Sequence, residues 1–284
     1  MYKIPDEYYF RIHHIRPRFK NDIENVLYFM ANEIAKMAPA RHTLFKEKLN
    51  SLIKLYPGNS TKTLKTINNW RTEISALFGL VEYEGEISRP SRMSLLLSES
   101  QDLVEFFRYF LYYFQYPGGH LKPAEALEFI KVGIKFKPAS YILSVLMEGR
   151  KAEGDEKFGI SKAEATHCIF NDLRVTRDLR SPSETASIII QNRKDGVRYD
   201  QGGDITRYAG DILDYMELGD LITLRPNYNY YPNLANLETI QAYINSGNSF
   251  FKPYELIYRA SEKSLANVTN SQDLWFSYVN DKLE

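Results

Sequence analysis

Cysteine is almost missing from these 284 residues: only Cys168 is present. That excludes an internal disulfide and any cysteine-rich zinc site. Histidine is scarce as well, and no ligand spacing joins His13, His14 and His42 into a metal set. No apolar run approaches the roughly 20 residues of a bilayer-crossing helix, and the N-terminus is polar where a secretion signal would be apolar. The expectation is a cytoplasmic chain with no membrane partner. Neither a phosphate-binding P-loop nor a dinucleotide glycine motif occurs.

Catalytic clusters are equally thin. A magnesium-dependent nuclease of the common restriction type needs an Asp and an Asp/Glu-x-Lys on adjacent strand ends. The one such tripeptide, Asp155 to Lys157, stands in "GRKAEGDEKFG" with no flanking apolar strand, which reads as a solvated loop. His167 and Cys168 are neighbours, but adjacent helical residues point about 100° apart and do not readily share a proton. A core cysteine beside a surface histidine is the expectation. No cofactor is expected to bind this chain.

What is present is a divided charge. The formal net charge is zero, yet residues 1–71 hold thirteen Lys/Arg against six Asp/Glu. Two stretches concentrate the excess. "RIHHIRPRFK" carries Arg11, Arg16, Arg18 and Lys20 around His13 and His14 with no carboxylate. From Arg41 to Arg71, Lys46, Lys48, Lys54, Lys62 and Lys65 face only Glu47. Such clustering suits a polyanion such as nucleic acid, against the plainer reading of a solvated helix face.

Hydrophobic spacing organises the rest. "DIENVLYFMANEIAKM" places Ile23, Val26, Leu27, Met30, Ile34 and Met37 on one side of a helix that Pro39 ends. "TLFKEKLNSLIKLY" does the same with Leu44, Phe45, Leu49, Leu52 and Ile53, and Pro57 and Gly58 make a turn. "STKTLKTINNWRTEISALFGLV" turns Leu64, Ile67, Ile74 and Phe78 inward and leaves Lys62, Lys65, Thr66, Asn69, Arg71 and Thr72 on other faces. Gly79 stops it, and a hairpin around Glu84 and Gly85 follows. Three helices and a hairpin is the winged-helix order, in which the third helix enters the major groove.

A core-forming aromatic helix, "SQDLVEFFRYFLYYFQYPGG", intervenes. The order then begins again from Pro138, with capping boxes expected at Ser161/Glu164 and Ser181/Glu184. "RYDQGGDITRYAGDILDYMELGDLITLRPN" reads as a helix capped by Asp204 and then a strand. Before and within its first turns stand Arg198, Gln201, Asp204, Thr206 and Arg207, donors and acceptors of the kinds that read base edges. In "RPNYNYYPN" the tyrosines either stack on unpaired bases or pack their own wing.

The fold expected is therefore mainly α with short β-hairpins, an α+β chain of two winged-helix subdomains. Its parts are a basic and mobile arm at 1–20, a first winged helix at 21–98, a helical linker at 99–137, a second winged helix at 138–233 and a helical extension at 234–284. "FLYYFQYPGG", "KPASYILSVLMEGRK", "GISKAEATHCIF" and "GGDITRYAGDILDYMELGDLITLRPN" together resemble the N-terminal DNA-recognition region of Type IIS restriction endonucleases of the FokI/AlwI-like group. The likeness covers roughly residues 110–230, and the front third matches by order of elements more than by sequence.

The resemblance implies sequence-specific recognition of an asymmetric site in double-stranded DNA inside a bacterium. Cleavage belongs to a separate C-terminal domain, absent from these residues, where Mg²⁺ would act. It also implies that an arm joins helices in the major groove. The candidate DNA-binding residues are then Arg11, His14, Arg16, Arg18 and Lys20 from the arm, Lys62, Lys65, Thr66, Asn69, Arg71 and Thr72 from the first unit, and Arg198, Gln201, Asp204, Thr206 and Arg207 from the second. So arginine-rich a set favours a G·C-containing site. The chain is expected to bind as a monomer and cut nothing, with a longer parent able to dimerise through its C-terminal domain. A winged-helix transcription or replication regulator, a protein-interaction module and a hydrolase acting through Asp155–Lys157 are the rival readings. Residues 234–284 either brace the second unit or lead onward.

Overall fold

The computed structural model describes residues 1–12, 16–154 and 157–280, the side chain of Asn248 apart. It divides into two units. The first comprises Ile15–Phe106, Gly118–Glu128 and Phe251–Glu284, the second Met1–His14, Phe107–Pro117 and Phe129–Phe250.

The first unit begins with α1 (Ile23–Ala35), which buries Ile23, Val26, Leu27, Met30 and Ile34 as its helical spacing requires. A two-residue strand, β1 (Ala40–Arg41), leads into α2 (His42–Leu55), whose inner face is Phe45, Leu49 and Ile53. The buried Asn59 closes the following turn by donating from Nδ2 to the Ile53 carbonyl at 3.0 Å. The third helix, α3 (Leu64–Thr72), starts on Thr63, whose hydroxyl accepts from the Thr66 N–H. It continues as a π-helical segment, Glu73–Leu77. Leu64 does not turn inward; it is 65% exposed, because the core stripe is completed by Ile67 and Trp70.

Gly79, at φ +67°, ends the helix in a left-handed residue that a side chain would strain. A hairpin of β2 (Val81–Glu84) and β3 (Ile87–Pro90) follows, and β1 joins it antiparallel with Ala40 opposite Ser88, giving the order β1-β3-β2. Next, α4 (Arg92–Ser100) packs on α1. The helices α5 (Leu103–Tyr113) and α6 (Pro123–Val132) come next in the chain.

The second unit contains α7 (Pro138–Glu153), α8 (Lys162–Ala165) with a π-helical continuation at Thr166–Phe170, α9 (Leu173–Thr176) and α10 (Pro182–Lys194). It goes on to α11 (Gly203–Leu218), the hairpin β4 (Ile222–Leu224) and β5 (Tyr230–Pro232), and α12 (Leu237–Asn245). Ile160 bridges to Tyr230 of β5, much as β1 pairs with the second strand of the other hairpin. The capping box at Ser161 and Glu164 forms in full, whereas Ser181 accepts from the Glu184 N–H without the return bond. The start of α11 lies two residues before the expected one: Gly202 rather than Asp204 takes the cap position, and its N–H donates to Asp200 Oδ1 at 2.8 Å.

The last helices, α13 (Lys252–Arg259) and α14 (Leu265–Tyr278), belong to the first unit. There Trp275 is 1% exposed and donates from Nε1 to the Ala76 carbonyl at 2.9 Å. The described parts of the arm, residues 1–12 and 16–20, are packed rather than a mobile leader. Ile4 and Ile12 are buried, the Tyr2 N–H reaches the Arg198 carbonyl at 2.7 Å, and the Phe10 N–H reaches that of Asn171 at 3.1 Å. In the first unit Phe19 lies 4.7 Å from the Trp70 ring. Each such side chain removed from water stabilises by about 1.5–3 kcal/mol, enough to hold a short segment whose cations alone would leave it solvated.

Candidate nucleic-acid interface

Three residues of α3, Lys65, Asn69 and Thr72, stand four and three apart and so share one helix face. Lys65 and Thr72 are exposed, as is Lys62 in the turn before the helix, while Thr66 is half-buried and spent on the cap with Thr63. Lys62 and Lys65 have no ion pair among the described residues, nor do Lys46, Lys48 and Lys54 along α2. Uncompensated cations on an exposed face give a local positive potential that a solvated, internally paired face lacks.

Arg18 reaches this face from the arm. Its backbone N–H donates to Glu73 Oε2 at 3.0 Å, and with the Asn69 amide oxygen turned toward it, its guanidinium donates from Nε at 2.9 Å and from Nη2 at 2.5 Å. Glu73 is 2% exposed, and burial pushes its carboxyl up to about 7 against the lowering influence of the Arg18 N–H and charge. A buried carboxylate one turn beyond Asn69 thus fixes where the arm meets α3. Arg16 is exposed and Lys20 half-buried beside it. Arg71 points to another side, held through Nη1 by Asn50 Oδ1 at 2.8 Å and Asn68 Oδ1 at 2.9 Å.

In the second unit the candidates gather at the start of α11. Arg11 donates from Nη2 to the Asp204 carbonyl, with its guanidinium 5.6 Å from the centre of the Tyr208 ring. The Asp204 carboxylate pairs with Arg207, and the Thr206 hydroxyl donates to the Gly202 carbonyl at 3.3 Å. Gln201 and Arg198 are exposed just ahead of the helix. Asp204 complements the helix dipole in the first turn and answers the nearby cations. His14 lies outside the described residues.

The other sequence motifs resolve into structure. Cys168 is buried, donates to the Tyr199 hydroxyl at 3.4 Å and has its thiol pushed up to about 11 by burial, so it is unreactive. His167 is half-buried rather than on the surface, its Nε2 being 2.9 Å from the Asp200 carbonyl. His42 uses both ring nitrogens, on Ser88 Oγ and the Gly85 carbonyl. Among the described residues no group of three or more His, Cys, Asp or Glu is placed to hold a metal, and no helix is long and apolar enough to cross a membrane. Asp155 and Glu156 lie outside the described residues. Tyr230 and Tyr231 pack the second hairpin, Arg225 sitting 4.1 Å over the Tyr231 ring, and Tyr228 alone of the three is open at 80%.

Sequence reasoning passed over Glu73. The signal was there: it is the only carboxylate between Glu47 and Glu82, and with Trp70 and Leu77 it occupies an inward stripe. An acid on an apolar stripe in a basic stretch needs a donor, and Arg18 supplies one.

Two small helical units, each closed by a short antiparallel hairpin, place this chain in the α+β class, with exposed cations gathered on a helix of one unit. The family model of the restriction endonuclease BpuJI N-terminal region matches residues 2–276, and the chain belongs to that family. It is similar also to the protein in a crystal structure of pyrene- and phenanthrene-modified DNA in complex with the BpuJ1 endonuclease binding domain, with a TM-score of 0.83, 25% identity, and coverage of 98% of this chain and 100% of that one. No curated protein matches the sequence.

Proposed function

We propose that this chain is the double-stranded DNA recognition domain of a restriction endonuclease, reading an asymmetric, G·C-containing site. In this reading each unit is a winged helix. The order helix, short strand, two helices and hairpin in the first unit supports that, as does the Ile160 to Tyr230 bridge ahead of the second hairpin. The helices α3 and α11 then enter the major groove. Lys65, Asn69 and Thr72 face the bases or phosphates from α3, with Lys62 and the arm residues Arg16, Arg18 and Lys20 beside them. Arg198, Gln201, Thr206, Arg207 and Arg11 do so at α11.

Cleavage falls to a separate domain, and Mg²⁺ acts there. The domain binds as a monomer in the bacterial cytoplasm. The observation that carries the reading is the cationic face of α3, unpaired among the described residues, in a chain of this family, whose relative was solved as a complex with DNA. Selection of bound duplexes from a randomised library tests it. The expected result is enrichment of one asymmetric sequence, with an affinity falling linearly in log salt by about 0.9 per phosphate contacted. Binding without enrichment of any sequence overturns it.

A further inference from the structure

A cavity of about 290 Å³ opens in the first unit beside α3, with Lys46, Arg71, Tyr83, Lys122 and Asp273 on its walls. Arg71 is its fixed point. Both residues that hold its Nη1, Asn50 and Asn68, are neutral. No carboxylate pairs with Arg71 among the described residues, and burial lowers its pKa, the mark of a half-desolvated cation without a counter-ion. Leaving a guanidinium in that state is costly, and a clamped Nη1 leaves the Nε and Nη2 donors for a further acceptor.

The surroundings select the acceptor. Lys46 is exposed and unpaired among the described residues, and Lys122 stands 3.9 Å from Glu125 in an exposed pair of little strength. Against these three cations the walls offer one carboxylate, Asp273; His120, also on the wall, is held neutral because burial pushes it down to about 3. The excess positive charge suits an anionic occupant. It is not held by a stacked ring, since Tyr83 has one face covered by Phe276 at 3.9 Å and the other ring contact, His42, at 4.2 Å.

We propose that this cavity is a phosphate site, in which the Nε and Nη2 groups of Arg71 donate a forked pair of hydrogen bonds to phosphate oxygens and Lys46 and Lys122 neutralise the remaining charge. The phosphate comes from the backbone of a bound duplex or from a free nucleotide. For the first source alone the inference rests on the DNA-recognition reading above.

The test compares the whole chain with two double variants, Lys46→Ala/Lys122→Ala in the cavity and Lys36→Ala/Lys252→Ala, which removes the same charge from exposed positions of the first unit outside it. Each is titrated by calorimetry with inorganic phosphate and deoxyadenosine monophosphate, and with a duplex enriched from the library. The cavity variant is expected to lose about tenfold or more in affinity and the control less than about threefold. Arg71→Gln should match the cavity variant. A loss with the monophosphate assigns a free nucleotide as occupant, and a loss with duplex alone assigns a backbone phosphate. If neither anion binds the wild type and both double variants bind duplex equally, the phosphate site is overturned. Wild-type binding without sequence preference would instead sink the recognition reading and leave the comparison of variants standing.

Discussion

The first unit leaves Lys62 and Lys65 exposed beside α3 with no ion pair among the described residues, whereas the second ties Arg207 to Asp204 in the first turn of α11. The contrast continues inside. Asp172 of the second unit is 0% exposed and holds Arg174 at 2.7 Å and Arg180 at 3.3 Å, and Glu164 holds Arg193 at 2.7 Å. Among the described residues, the buried acid of the first unit, Glu73, has only a backbone N–H and the Arg18 charge to oppose its burial. The second unit thus encloses arginines with buried acids, pairs that are costly to break, while the first keeps its ion pairs at the surface and leaves Lys62 and Lys65 open, which favours a polyanionic partner.

The hardest blow to that comparison falls on the second unit. Asp172→Asn removes the counter-ion of two arginines, one of which, Arg180, has a side chain only 6% exposed. A loss of about 3–5 kcal/mol in denaturant unfolding is expected, as for other broken buried pairs. A change below about 1 kcal/mol would mean that the arginines find water or new acceptors, and the contrast between the units would dissolve.

Next in size is a pH effect in the first unit. Glu73 is raised from 4.5 to about 7, so the fold disfavours its ionised form. Its contribution to stability is fully present below the unfolded value and is lost as pH rises from about 4.5 through 7. Glu73→Gln keeps an acceptor for the Arg18 N–H and removes the titration. Variant and wild type should therefore unfold alike near pH 4, and the variant should be the more stable by up to about 3 kcal/mol near pH 8. His120, lowered from 6.5 to about 3 by burial, acts with the opposite sign, withdrawing stability as pH falls between those values. Parallel unfolding curves for Glu73→Gln and wild type from pH 4 to 8 would show that Glu73 does not titrate in this window.

Much of this was legible in the sequence. The stripes Ile23–Val26–Leu27–Met30–Ile34 and Phe45–Leu49–Ile53, the stop at Gly79 and the cap at Ser161 are local signals, and local spacing is enough to read them. What escaped was long-range. Charge drew attention to the arm, while the apolar residues Ile4, Phe10, Ile12 and Phe19 between its cations decide where it packs. Nothing local in "SQDLWFSYV" says that Trp275 will donate to Ala76, 199 residues away. Glu73 and Arg18 meet across 55 residues, and the walls of the cavity join Lys46 to Lys122 and Asp273. Residue type and helical face are enough to find exposed cations, but not the buried acid that positions them.

A smaller effect tests the open face itself. Lys62→Ala/Lys65→Ala removes two cations that have no ion-pair partner among the described residues, so duplex affinity should fall about tenfold at low salt and the salt slope by about two phosphates' worth. Filter binding across a salt series reads both quantities. An unchanged slope would place the phosphates elsewhere on the domain.

The smallest effect is the most diagnostic, because its sign is in question rather than its size. Asp204→Asn in the second unit releases Arg207 from an exposed pair in which the carboxylate is 84% exposed and the guanidinium 41%. Such a pair is worth roughly 0.2–1 kcal/mol, so the change in duplex affinity is at most about fivefold. If Asp204 serves mainly as counter-ion, its removal makes the start of α11 resemble the face of α3, and binding should tighten, equally for specific and random duplexes. If instead Asp204 accepts from a cytosine amino group, binding should weaken for the enriched site alone. Tightening on both duplexes is the outcome expected here, since Arg207 already takes the carboxylate and Arg11 the carbonyl of the same residue.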